Sequence, residues 1–170
     1  MYVLTGAPGC GKTTMIDLLE NEYKFTVGRE VARELIEDQQ RNGGDCLPWI
    51  NLALFQGEVS QRQYLLEQQL PHNSFLDRSM IDSAGYCKEA NISYPTLTNH
   101  IESTYQKVFF LEQLPHYQTD EQRVEEKTKA NSIEIALLQT YAEFGHEVVR
   151  VPVLEPKERV QYILERMEKK

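Results

Sequence analysis

Short apolar runs of about four residues alternate along the chain with longer stretches in which apolar residues recur every three or four positions. A strand period trading with a helix period predicts an α/β domain, a mostly parallel sheet covered by helices. Five runs are rich in β-branched and aromatic residues and are the predicted strands: residues 2–5, 25–27, 74–77, 108–111 and 148–151. Leu52, Phe55, Val59 and Leu66 fall on one helical face, as do Ile133, Leu137, Tyr141 and Phe144, so both stretches are predicted amphipathic helices. Gly145 is placed to end the second, and Pro156 to open a last helix burying Val160, Ile163, Leu164 and Met167.

The interval from residue 29 to about residue 72 is too long for one crossover helix and predicts a helical insertion over one end of the sheet. No repeat, low-complexity tract or Gly/Ser linker divides the chain, so residues 1–170 are expected to form one domain. No apolar run reaches the roughly 18 residues of a membrane span, and the first residues lack the basic and apolar regions of a cleaved signal peptide.

Charge narrows the partners. Eighteen Lys and Arg against 26 Asp and Glu give a net charge of −8, which leaves no broad basic face for a nucleic-acid backbone. Any anionic ligand has to be held by a local positive site. Cys10, Cys46 and Cys87 have neither disulfide-framework nor zinc spacing, so a reducing, cytoplasmic setting is expected. His72, His100, His116 and His146 show no metal spacing either.

Gly6-Ala7-Pro8-Gly9-Cys10-Gly11-Lys12-Thr13 satisfies G-x-x-x-x-G-K-[ST], directly after a predicted strand and directly before the helical pattern that starts with Thr14. Phosphate oxygens need many donors at short range. Gly6, Gly9 and Gly11 let the backbone curl so that successive N–H groups point inward, and the helix N-terminus adds positive potential. Lys12 is then placed for the β- and γ-phosphates of ATP or GTP, and the Thr13 hydroxyl for the Mg²⁺ that bridges them. Cys10, inside this loop, is oxidation-sensitive if exposed and a small packing residue if not.

Phosphoryl transfer asks further for a carboxylate near the metal or nucleophile, for cations and for exclusion of water. Residues 74–77 lead into Arg78, so Asp77 and Arg78 are expected at the carboxyl edge of the sheet, Asp77 holding Mg²⁺ directly or through water and Arg78 binding phosphate or the acceptor oxygen. The competing reading is a helix cap at Ser79 with a surface ion pair. After the second strand, Glu30 is the expected general base; if a helix begins there, Arg29 and Arg33 share a face and become substrate contacts. A solvated helix with ordinary ion pairs is the alternative. Beyond the fourth strand, residues 114–128 are placed as a closing lid from which Arg123 reaches the transferring phosphate, against the alternative of an exposed arginine beside Asp120 and Glu121. Trp49 or Phe55 is a candidate to stack on a base or sugar, with helix packing the favoured role of each. The segment Val151-Pro152-Val153-Leu154 is a candidate border of the nucleotide base, and Asp82-Ser83-Ala84-Gly85 imitates a D-x-x-G switch element without its strand context.

These motifs resemble those of the P-loop nucleoside and nucleotide kinase group, and within it the small AAA-labelled ATPase domains related to the ribosylnicotinamide kinase module. The likeness runs through Gly6 to Thr13, Arg29-Glu30-Val31-Ala32-Arg33-Glu34, Gly43-Gly44-Asp45, Pro48-Trp49, Asp77-Arg78 and Thr119-Asp120-Glu121-Gln122-Arg123. It implies a three-layer α/β fold with helices on both faces of a five-stranded parallel sheet in the order 2-3-1-4-5, nucleotide on the first loop and a lid after the fourth strand. Asp77-Arg78-Ser79 looks like the acid-Arg-Ser element of deoxynucleoside kinases, and Glu30 is similar in placement to their base. The chain departs from the pattern in its lid, where Arg123 is the sole arginine between Val108 and Arg150.

The function expected is a Mg²⁺-dependent phosphotransferase moving the γ-phosphoryl group of ATP or GTP to a small nucleoside-like metabolite. The alternatives are an NTP-binding regulatory module that senses or hydrolyses nucleotide and binds a protein partner, and a simple NTP phosphatase. The acceptor, the preferred base and the oligomeric state are left open.

Overall fold

The computed structural model describes residues 1–93, 105–115 and 121–167, with the backbone alone for residues 121–126. In chain order the elements are β1 (Tyr2–Thr5), α1 (Lys12–Asn21), β2 (Val27–Gly28), α2 (Val31–Asn42), α3 (Leu52–Gln69), β3 (Phe75–Asp77), α4 (Met80–Glu89), β4 (Lys107–Leu111), α5 (Glu121–Glu143), β5 (Val148–Val151) and α6 (Pro156–Met167). Successive side chains of β1 point to opposite faces, and Val3 and Leu4 are both fully buried. A strand without a polar face needs cover on both sides, which a parallel sheet under two helical layers supplies.

β1 pairs in parallel with β3, Val3 opposite Leu76, and with β4, Leu4 opposite Phe109. β2 adds beyond β3 and β5 beyond β4, giving the order β2-β3-β1-β4-β5 that the resemblance implies. One face carries α1 and α6, whose Met15, Ile16, Leu19, Val160 and Ile163 pack on Leu4, Phe75, Phe109 and Val151. The other face carries α4 and α5, with Met80, Ile81 and Tyr141 against Val3, Leu76 and Val108, and Ile133 and Leu137 against Phe110. Two helices, α2 and α3, fill the long connection from β2 to β3. They meet in a separate small cluster of Leu35, Phe55 and Val59.

Several element edges differ from expectation for physical reasons. The second strand is Val27–Gly28 rather than residues 25–27, because Phe25 is used as a packing residue, edge-on to Phe75 with ring centroids 5.1 Å apart. The ladder begins at Thr26, whose carbonyl accepts from the Phe75 amide at 3.0 Å. The third strand starts at Phe75, one residue late, and the fourth at Lys107, one residue early. Helix α2 begins at Val31 with Glu30 as its N-cap, so Arg29 stands outside it and shares no helical face with Arg33. Gly145 has φ +76 just past α5, and Pro156 is the first residue of α6, as the pattern predicts. On α3, Phe55 and Val59 are buried, but so are Gln56, Ser60, Gln63 and Glu67, because this face looks onto a cavity and a polar network rather than onto the sheet alone. Among the described residues no helix is long and apolar enough to cross a membrane.

Candidate functional site: a glycine loop with an adjoining cavity

At the carboxyl end of β1 the chain doubles back into α1. Gly6 has φ +142, and a Cβ there would lie 2.7 Å from the Leu111 carbonyl oxygen and 2.8 Å from Cys10 Sγ, so no side chain is admitted. Among the described residues the amides of Gly11, Lys12 and Thr13 have no backbone acceptor, which gathers free donors at the N-terminus of α1. Lys12 is buried and turns back over the loop, its Nζ donating to the carbonyls of Gly6 at 3.1 Å and Ala7 at 3.4 Å. Burial, reinforced by Arg78, lowers its pKa from the ordinary lysine value. Cys10 is completely buried, which decides for the packing role. Thr13 and Thr14 are exposed, with Pro8 and Gly9, at the mouth of the loop. A cavity of about 420 Å³ opens here, with Pro8, Gly9, Lys12 and Thr13 on one side and Glu30, Arg33, Arg78 and Tyr86 on the other.

Just past β3, Arg78 supplies part of the opposing wall, while Asp77, the last residue of the strand, faces the adjoining cavity. Asp77 is 4% exposed and its Oδ1 has no hydrogen-bond partner. Burial lifts its carboxyl to about 6, with Glu30 adding to the rise and Lys12 opposing it. Arg78 adopts φ +73, a left-handed conformation costing a non-glycine residue about 1 kcal/mol. That turn sends the guanidinium back over the loop: Nε donates to Glu30 Oε1 at 3.0 Å and Nη1 to the Gly6 carbonyl at 3.2 Å, with the Tyr86 ring centroid 5.2 Å away. Arg78 and Glu30 are 12% and 20% exposed, so this is no surface ion pair. Burial pushes the Glu30 carboxyl up, but Arg78, Lys12 and Arg33 together outweigh it and hold the group below its ordinary pKa.

Asp82 ties these parts to the scaffold. Its Oδ1 accepts from Thr5 Oγ1 at 2.5 Å and from Arg78 Nη1 at 3.4 Å; its Oδ2 accepts from the Ser79 amide at 2.9 Å and the Tyr141 hydroxyl at 2.5 Å. Ser79 caps α4 with Asp82 as its reciprocal partner, so the cap weighed in the sequence as a competing reading coexists with the cluster. The D-x-x-G imitation is thereby accounted for as the first turns of a helix.

Beyond Arg78 lies a second cavity of about 190 Å³, sharing Glu30, Arg78 and Tyr86 with the first. Its walls are Val31, Pro48, Phe55 and Val59, and Gln56, Gln63 and Asp77 face it as polar groups. On the far side of Gly11, a third cavity of about 570 Å³ runs between Thr14, Met15 and Leu114 and the loop after β5, where Val153 and Leu154 line it.

The structure thus gathers the loop, Glu30, Arg33, Asp77 and Arg78 in one place. Arg29 is elsewhere, held on the surface by Asp17 at 2.8 Å and by Glu20. Trp49 is 63% exposed and lines none of the three cavities, so helix packing does not describe it, whereas Phe55 is buried in a cavity wall. Of the expected lid, residues 116–120 lie outside the described residues, and Arg123 is in α5 with its side chain outside them. Sequence reasoning missed the roles of Asp82, Tyr86 and Tyr141. Only Asp82 carried a signal, the Ser79-Met80-Ile81-Asp82 spacing of a capping box.

A family model described as an AAA domain matches residues 1–159. No curated protein matches the chain in sequence. Among solved structures, the chain resembles deoxyadenosine kinase from M. mycoides with products dCMP and dCDP bound, at 15% identity over 98% of this chain and 97% of that one, with a TM-score of 0.66. It also resembles shikimate kinase from Aquifex aeolicus, at 18% identity over 99% and 96% of the two chains with a TM-score of 0.60. With the NadR protein in complex with NR the identity is 17% and the TM-score 0.68, and the chain spans about half, 51%, of that longer protein. Identities this low speak to fold alone, the parallel five-stranded α/β sheet described above. With nearly its whole length matched by the family model, the chain belongs to the AAA domain family.

Proposed function

We propose that the protein is a Mg²⁺-dependent phosphotransferase that moves the γ-phosphoryl group of ATP or GTP to a hydroxyl of a small nucleoside-like metabolite. The observation that carries this reading is the shared wall: Glu30, Arg78 and Tyr86 border both the phosphate cradle and the second cavity. A donor phosphate on the loop and an acceptor hydroxyl in the cavity would meet at those three side chains. The cavity of about 190 Å³ has the scale of one ring system, since an engineered void of about 150 Å³ holds benzene. That size suits a small metabolite.

The loop amides and Lys12 bind the β- and γ-phosphates, and Arg78, held charged by Glu30 and Asp82, neutralises the oxygens of the group in transit. Glu30, ionised at neutral pH, accepts the proton of the acceptor hydroxyl. Arg33, at the cradle's rim, contributes a further positive charge. Thr13, at the mouth of the cradle, and the orphaned Asp77 Oδ1, which faces the adjoining cavity, are hard oxygen donors that would hold Mg²⁺ directly or through water, and this ion needs few protein ligands beside phosphates and water. When bound, Mg²⁺ supplies charge neutralisation across the β- and γ-phosphates. Val31, Pro48, Phe55 and Val59 keep the reacting oxygen away from bulk water.

The test is to incubate purified protein with γ-labelled ATP or GTP and Mg²⁺ against a pooled library of hydroxylated metabolites and to follow the label. Label on a nucleoside-like compound is expected. Free phosphate alone, or binding without turnover, would replace this reading with the phosphatase or the regulatory module.

A further inference from the structure

We infer that Arg159 is a positioning residue of the phosphate loop, a reading that rests on the nucleotide binding proposed above. Arg159 comes from α6, at the opposite end of the chain, and is 2% exposed. Among the described residues it forms no ion pair. Its donors go to backbone carbonyls of three separate segments. Nε donates to Pro152 at 2.9 Å, in the loop after β5; Nη2 donates to Glu112 at 2.7 Å, just past β4; Nη1 donates to Cys10 at 2.7 Å, inside the phosphate loop.

The Cys10 contact acts on the cradle directly. A trans peptide unit carries its C=O and the following N–H on opposite sides, and the chain has no cis peptide among its described residues. Holding the Cys10 carbonyl against Arg159 therefore fixes the Gly11 N–H away from it. That N–H is one of the cradle's unpartnered donors. Space points the same way: a Cβ on Gly11 would lie 3.4 Å from Arg159 Nη1, so the guanidinium is packed directly behind the loop. A planar fork with five donors reaches carbonyls of three segments at fixed angles, Nη2 also lying 3.4 Å from the Val151 carbonyl, which an ammonium on a flexible stem does not do. The Glu112 and Pro152 carbonyls belong to the strand ends whose continuations, Leu114 and Val153, line the 570 Å³ cavity together with Arg159, so one side chain registers the cradle against both of that cavity's walls.

The test uses the full chain carrying Arg159→Met, which keeps an apolar stem and removes the donors, and Arg159→Lys, which keeps the charge. Folding is checked by circular dichroism and a cooperative melt, and calorimetry then measures affinity for MgATP and for magnesium tripolyphosphate, which has no base or sugar. The Met variant is expected to fold with a lowered midpoint and to bind both probes more weakly by the same factor, about ten- to a hundredfold, the scale of one charge-assisted hydrogen bond. The Lys variant is expected between it and wild type. A role in stability alone would lower the midpoint and leave the affinity of folded protein unchanged. A folded Met variant with wild-type affinity, or one weakened toward MgATP but not toward tripolyphosphate, overturns the inference. Should the Met variant not fold, an Arg159→Lys loss smaller than twofold overturns it. Wild-type protein that binds neither probe overturns the nucleotide reading as well, whereas wild-type binding with unaltered variants overturns this inference alone.

Discussion

At Asp77, burial lifts a carboxyl to about 6, inside the range of ordinary assays. The proposed metal role requires the ionised form, so turnover should fall as pH drops through about 6, and a pH–rate profile should show that acid limb. Asp77→Asn should lose most turnover and the limb with it while keeping much of its nucleotide affinity, because the loop amides and Lys12 are untouched. Lys12→Ala should abolish nucleotide binding or turnover, measured by calorimetry and label transfer. A fully active Asp77→Asn would remove Asp77 from the metal's surroundings. At this scale the loop was legible because eight consecutive residues carry it, each with a stereochemical reason. Asp77 and Arg78 were legible because a strand end places them. Arg159 was not: a single arginine on an amphipathic helix looks like any other, and its partners are carbonyls that no sequence pattern displays. Trp49 misled because a large aromatic is ordinarily buried between helices, the role the sequence favours, and nothing in the sequence marks it as exposed.

Helices and strands were legible where apolar period and end signals agreed, as for β1, β5 and the ends of α5 and α6. They were less so in β2, whose two residues pair only at the sheet edge. Gly85 shows what period alone leaves out. It lies inside α4, where a Cβ would come within 2.8 Å of Leu137 Cδ2 and 3.3 Å of its Cα, so α4 and α5 meet at backbone distance. Alanine favours helix by up to about 1 kcal/mol over glycine, but overpacking costs about 1–3 kcal/mol. Gly85→Ala should therefore be destabilising on balance, seen as a lower urea midpoint at unchanged slope. Helix α2 stands at the other extreme. It is held through its own small cluster with α3, apart from the clusters that cover the sheet, so its amides should exchange with deuterium before those of β1 and β4. Equal protection across these segments would show that α2 opens only with the whole domain.

For the whole molecule, the strand order came from the resemblance rather than from the hydrophobic pattern, which counts strands without ordering them. The buried network behind the site was invisible for a related reason: its members lie far apart in the chain. Glu67 on α3 accepts from the Tyr105 hydroxyl at 2.8 Å and from Gln63 Nε2 at 2.8 Å, and Gln63 also donates to the Arg78 carbonyl at 3.3 Å. Burial raises Glu67 from 4.5 to about 7, with those hydrogen bonds opposing. Between these values the folded protein holds a proton that the unfolded chain has released. The stability linked to Glu67 is therefore complete below pH 4.5 and is lost as pH rises through about 7, at up to about 1.4 kcal/mol per pH unit. Asp77 acts with the same sign and is spent near 6. Denaturant titrations across this range should show wild type losing stability with rising pH and Glu67→Gln losing less, and parallel curves would place the buried proton elsewhere.

Because α2 and the start of α3 supply the apolar wall of the small cavity while resting on a patch of their own, that wall is carried by a stretch of polypeptide separate from the loop, and Arg33 is the residue of the stretch that also borders the cradle. Transplanting residues 31–59 from a distant cousin, with Arg33 retained, should exchange one appetite for another and leave the triphosphate end of the machine as it was.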